Sequence, residues 1–136
     1  MSLTLIFGCM FSGKSTEILR RVRRYTAVGK TVTLVNSTKD VRCVEDVVCT
    51  HDKHTLECVK TDDISSITHV TTDVIVIDEG QFFTGLRESV RLMLDNGKHV
   101  IVSGLDGDFR QRQFGEIITL IPLADEVVKL YALCMV

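Results

Sequence analysis

The 136-residue sequence predicts an α/β fold, a parallel sheet flanked by helices, and three observations carry that prediction. Short apolar runs rich in β-branched residues recur at 3–7, 30–35, 74–77 and 99–103. Amphipathic helical stretches stand between them, an alternation that implies right-handed crossovers and parallel strands covered on both faces. Directly after the first run comes Gly8-Cys9-Met10-Phe11-Ser12-Gly13-Lys14-Ser15-Thr16, which contains the complete pattern G-x-x-x-x-G-K-S. That pattern needs a strand before it and a helix after it, and both are present, so the fold is expected to be of the P-loop NTPase type.

Each element follows from local pattern. Residues 3–7 read as a buried strand. Residues 14–28 read as a helix with Ile18, Leu19, Val22 and Tyr25 as its apolar stripe, stopped by Gly29. The second strand is expected at 30–35 and a loop from Asn36 to about Asp46. Short strands are expected at 47–49 and 56–59, and a short helix at 62–68 opened by an aspartate cap. Val74-Ile75-Val76-Ile77 is a continuous run of the kind found in a central parallel strand buried on both faces. A helix is expected at 84–96 with Leu86, Val90, Met93 and Leu94 inward and Gly97 as its stop. A strand at 99–103, a short helix at 114–120 and a last strand at 126–133 complete the order.

Composition bounds the rest. With 45% hydrophobic and 25% charged residues and no repeat or linker, the chain reads as one nucleotide-binding domain over 1–136. The net charge of −2 gives no basic field for a nucleic-acid partner. Arg20, Arg21, Arg23 and Arg24 surround the apolar stripe of the first helix and read as a solvated face. Cys9, Cys43, Cys49, Cys58 and Cys134 form no C-x-x-C pair and read as reduced thiols of a cytoplasmic protein. The first apolar run is short and has no basic leader, so neither a signal peptide nor a membrane partner is expected.

The chemistry sits at the ends of the predicted strands, where ligands bind in this architecture. Gly8 and Gly13 let the backbone pass close to phosphate oxygens, Lys14 reaches the β- and γ-phosphates, and the Ser15 hydroxyl sits on magnesium. Asp78-Glu79 directly follows the most apolar run. Two adjacent acids at a buried strand end are costly unless they take different tasks. Asp78 is therefore assigned to hydrated magnesium opposite Ser15. Glu79 is assigned as general base on an acceptor hydroxyl, or on water if the chain is only an ATPase.

Taken together, Gly-x-Met-Phe-Ser-Gly-Lys-Ser-Thr at 8–16, Lys39-Asp40-Val41-Arg42, Thr50-His51-Asp52, Asp78-Glu79-Gly80-Gln81-Phe82-Phe83 and Leu105-Asp106-Gly-x-Phe109 resemble the cytosolic, type II, thymidine kinase family. The resemblance runs in order through nearly the whole chain. It implies transfer of the ATP γ-phosphate to the 5′-hydroxyl of thymidine or deoxyuridine, giving dTMP for DNA precursor synthesis, with magnesium, in a cytoplasmic homotetramer. By resemblance, Gly8 to Ser15 bind ATP, Asp78 and Gln81 complete the nucleotide and metal surroundings, and Glu79 takes the hydroxyl proton. Arg42 steadies phosphate charge, and Asp40 lies near the magnesium shell. Met10, Phe82, Leu105, Phe109 and Phe114 surround the nucleoside, where rings and thioethers suit a flat base.

Departures from the family pattern are Cys9 where proline is common, Cys43 after the K-D-x-R loop, and Asp108 and Arg110 in place of the animal-type G-T-F-Q. Cys134 matches the first of four zinc-binding cysteines, and the sequence runs to Val136. A zinc site needs about four ligands, so the zinc and nucleoside-clamping lasso region is expected to be absent from this chain. The competing expectation is an ATP-binding module that lacks acceptor chemistry because it lacks that lasso.

Overall fold

The computed structural model describes residues 2–8, 14–36, 56–68, 70–78, 80, 83–104 and 117–130. Six strands form one sheet: β1 (Ser2–Gly8), β2 (Val32–Asn36), β3 (Leu56–Lys60), β4 (Val74–Ile77), β5 (His99–Gly104) and β6 (Glu126–Leu130). Their spatial order is β3-β2-β4-β5-β1-β6, and every neighbouring pair is parallel. The helices are α1 (Lys14–Ala27) and α2 (Leu86–Asp95), with 3-10 segments at Ile64–Ile67 and Ile117–Leu123. The predicted α/β parallel sheet flanked by helices is the architecture observed.

Because side chains alternate across a strand, each central strand feeds two cores. Leu3, Leu5, Phe7, Ile75, Ile77, Val100 and Val102 face one side, where they pack with Leu86, Val90 and Met93 of α2 and with Ile64, Ile67, Ile117 and Leu120. Ile6, Val32, Leu34, Val74, Val76 and Ile101 face the other, against Ile18 and Val22 of α1. All four residues of β4 are fully buried, which explains why that stretch has no polar alternation at all. The stripe read on the first helix is the one used: Ile18 and Val22 are buried, and Leu19 and Tyr25 pack at the edge.

Boundaries moved where a local cap decided them. The helix expected from Thr84 begins at Leu86, because Gly85 is its N-cap in the left-handed region (φ 69°), a conformation that breaks helical continuity. The short helix at 62–68 is a 3-10 turn over Ile64–Ile67, capped by the Asp63 side chain accepting from the Ser65 N–H. The second strand starts at Val32 rather than Lys30 and extends through Asn36, which had been read as loop. Of the short helix expected at 114–120, residues 117–120 lie in a 3-10 segment, Ile117–Leu123, and 114–116 lie outside the described residues. The last strand is described only as Glu126–Leu130. The strand expected at 47–49 lies outside the described residues.

Two features bear on the cysteine and arginine readings. Cys58, half-buried on the edge strand β3, is disulfide-bonded, which corrects the expectation of five reduced thiols. Pairing is decided by sulfur proximity in the fold, which cysteine spacing along the sequence does not reveal. The other four cysteines lie outside the described residues. On α1, Arg20, Arg23 and Arg24 are exposed as expected, whereas Arg21 spans two elements: it pairs with Glu17 one turn back and, through two parallel bonds of 3.0 and 2.8 Å, with Glu126 of β6. Among the described residues, no helix is long and apolar enough to cross a membrane.

At the amino ends of the strands, His99 Nδ1 lies 2.9 Å from Ser2 Oγ, and its ring centroid is 5.6 Å from that of Tyr25. Burial, assisted by nearby positive charge that includes Lys30, holds the imidazole below its usual 6.5. The fold therefore favours the neutral ring, and the unfolded chain takes up the proton first as pH falls. The stability due to this group is complete above 6.5 and is lost as pH drops through that value toward the folded pKa. Asp73, with hydrogen bonds from Thr31, and Glu17 and Glu126, with arginine partners, are held below the ordinary carboxylate range and titrate in a lower window. The melting temperature is expected to fall between about pH 7.5 and about pH 5.5, and His99→Gln is expected to flatten that slope. Parallel slopes in the two proteins would remove His99 as the cause.

Candidate active site

The sheet positions a rim of polar groups at the carboxyl ends of its strands. β1 ends at Gly8, and α1 begins at Lys14 on the face where Ile18 and Val22 pack. By alternation, Ile6 and Gly8 of β1, Leu34 and Asn36 of β2, Val76 and Asp78 at the end of β4, and Ile101 and Ser103 of β5 share that face. The start of α1, with its outward N–H groups and positive dipole end, therefore lies on the same side of the sheet as the Asp78 carboxylate. β5 separates β4 from β1, so Asp78 and the end of β1 are two strand spacings apart, about 10 Å. That separation suits a triphosphate and a hydrated cation held between a phosphate loop and an acid.

Asp78 is 3% exposed, its N–H donates to the Val35 carbonyl at 3.0 Å, and its Oδ1 accepts from the Ser103 hydroxyl at 2.8 Å. Burying a carboxylate is costly without charge-assisted hydrogen bonds or a cation. A carboxylate is a hard oxygen donor that accepts at about four positions, a chemistry that fits a hydrated divalent ion. Among the described residues, no group of three or more His, Cys, Asp or Glu side chains gathers. Magnesium bound largely by water and phosphate oxygens would not need one.

Beyond Asp78, the Phe83 N–H donates to the Gly80 carbonyl at 3.1 Å. Gly80 is buried, and a Cβ there would stand 2.8 Å from Val102 Cγ1 on β5, closer than side chains pack. Glycine is thus required by space in the Asp-Glu-Gly-Gln stretch. Gly80→Ala is expected to cost about 1–3 kcal/mol by overpacking, measured by denaturant unfolding. An unchanged midpoint would show that Val102 can yield.

Of the residues singled out in the sequence, the structure brings Gly8, the helical backbone of Lys14 and Ser15, and Asp78 to one rim. Cys9, Met10, Phe11, Ser12, Gly13, Asp40, Arg42, Glu79, Gln81, Phe82, Leu105, Phe109, Phe114 and Cys134 lie outside the described residues, as do the side chains of Lys14 and Ser15. Two buried rim residues have no site role among the sequence expectations. Asn36, 1% exposed, had been taken for loop, and Ser103, 0% exposed, had been counted only as the end of a strand. The signal for Ser103 was a hydroxyl closing the apolar run Val100-Ile101-Val102, and it acquires meaning only once β5 is known to lie beside β4.

Comparison with known proteins bears on the fold and the family. The flagellar accessory protein FlaH from Methanocaldococcus jannaschii shares the fold, with a TM-score of 0.68 and 16% identity over 94% of this chain and 70% of that one. The cytosolic thymidine kinase of Gallus gallus is 45% identical over 135 residues, covering 98% of this chain and 60% of that protein. The thymidine kinase of Raccoon poxvirus is 47% identical over 135 residues, covering 98% of this chain and 76% of that protein. This chain thus spans less than two thirds of the length of the chicken relative. The family model for thymidine kinase matches residues 1–136, and the chain belongs to the thymidine kinase family.

Proposed function

We propose that this chain carries the ATP-dependent thymidine kinase reaction, phosphorylating the 5′-hydroxyl of thymidine or deoxyuridine. The observation that carries the reading is the buried Asp78 carboxylate at the end of β4, on the face where α1 begins directly after the phosphate loop. Family membership supplies the reaction, and 98% coverage of this chain at 45% identity supports carrying it over.

In this reading, main-chain amides from Gly8 to Ser15 and the Lys14 ammonium hold the triphosphate. Ser15 and Asp78 would hold magnesium, which would supply charge neutralisation for the transferring phosphate. Asp40, Arg42 and Gln81 complete the charge surroundings. Met10, Phe82, Leu105, Phe109 and Phe114 enclose the nucleoside. Glu79 accepts the proton of the 5′-hydroxyl as that oxygen bonds to the γ-phosphorus. The bond from the γ-phosphorus to the bridging oxygen breaks, and ADP leaves with the electron pair. A cytoplasmic homotetramer is the assembly this family reading implies.

ADP release tests the proposal. Thymidine should stimulate it far more than cytidine does. Equal release with either nucleoside, or with none, would reduce the chain to a nucleotide-binding module.

A further inference from the structure

We infer that Ser103 is a positioning residue for the metal-holding carboxylate, an inference that rests on the role of Asp78 proposed above. The Ser103 hydroxyl donates to Asp78 Oδ1 over 2.8 Å, and the two residues are 0% and 3% exposed. Ile77 pairs with Val102 in the β4–β5 register, so Asp78 and Ser103 are the next pair outward, at the point where the sheet gives way to the ligand rim. β5 also pairs with β1, placing Ser103 opposite Ile6, two residues before Gly8. The hydroxyl is therefore anchored by the strand that lies between the acid and the phosphate-loop strand.

An aspartate carboxylate turns broadly about its last torsion. A donor fixed on a neighbouring strand ties one oxygen and so sets the plane in which the remaining lone pairs point. Positions 100 to 102 of β5 are Val, Ile and Val, and serine follows that run at a position that reaches Asp78. Hydrogen bonds of this kind to a ligating carboxylate change metal affinity by about 10–100-fold. A hydroxyl that merely satisfied a buried acceptor would affect folding and leave metal affinity as it was.

Manganese binding separates the two roles without turnover. Mn2+ is titrated into the full chain saturated with a non-hydrolysable ATP analogue, free Mn2+ is read by electron paramagnetic resonance, and the melting temperature of the metal-free protein is recorded in parallel. Ser103→Ala is expected to raise the Mn2+ dissociation constant by about 10-fold, and Ser103→Thr, which keeps the hydroxyl, to recover most of that loss. Should the alanine variant not fold, Ser103→Cys, a weak donor of similar shape, is expected to show the same shift. Asp78→Asn is expected to weaken binding at least as much, and adding Ser103→Ala to it should weaken binding little further. Wild-type Mn2+ affinity in Ser103→Ala or Ser103→Cys, with Asp78→Asn weakened, would overturn the positioning role and leave Asp78 as metal ligand. Wild-type affinity in Asp78→Asn would overturn the underlying reading instead.

Discussion

Exchange of Glu79 for glutamine is expected to lower kcat for thymidine phosphorylation by about 10²–10⁴-fold, the contribution of a positioned general base. ATP affinity should stay nearly unchanged, because the proposed reading gives the triphosphate to the phosphate loop and the hydroxyl proton to this acid. The substitution keeps shape and removes basicity, so the loss should fall on kcat more than on KM for either substrate. The acidic limb of the pH–rate profile should disappear with it. Steady-state kinetics with separate titrations of ATP and thymidine check this. A variant retaining wild-type kcat would move the proton acceptor elsewhere.

The second large effect is expected at Lys14. On the proposed reading, Lys14→Ala removes the ammonium assigned to the β- and γ-phosphates, while main-chain N–H groups at the first turn of α1 remain. Loss of one preorganised donor to developing charge costs about 10²–10³-fold in kcat, and ATP binding should weaken with it. Calorimetric titration of ATP checks the binding half, and single-turnover kinetics the other. Retained ATP affinity together with full activity would show that the triphosphate lies away from the α1 start. The Glu79 and Lys14 variants thus separate the two halves of the site: one loses chemistry with donor binding intact, the other loses both.

The strands and helices were legible because their signals are local. Val74–Ile77 is buried on both faces and has no polar residue to blur it, so its limits read from sequence are the observed ones. The Ile18 and Val22 stripe was legible from helical spacing for the same reason. Strand order is not local. Nothing in the sequence says that β5 lies between β4 and β1, and so the Ser103 hydroxyl could not be matched to Asp78 before the fold was known. The stretch from Asn36 to about Asp46 reads as loop because it is polar and has no clear period, yet tertiary burial extends β2 through Asn36. Gly85 falls inside the helix expected from Thr84, and its left-handed conformation delays α2 to Leu86. The disulfide at Cys58 depended on proximity in space, which no spacing in the chain conveys. Of the proposed site, the acid at the end of β4 and the start of α1 were both legible and placed on one face of the sheet.

Transfer of γ-labelled phosphate from ATP tests the central claim most directly. With magnesium and thymidine present, the label is predicted on the 5′-oxygen of thymidine monophosphate, one labelled product for each ADP formed. Label recovered only as inorganic phosphate, with thymidine unmodified, would contradict the claim and leave the rim of β1 and β4 as a site that binds ATP without an alcohol to receive its phosphate.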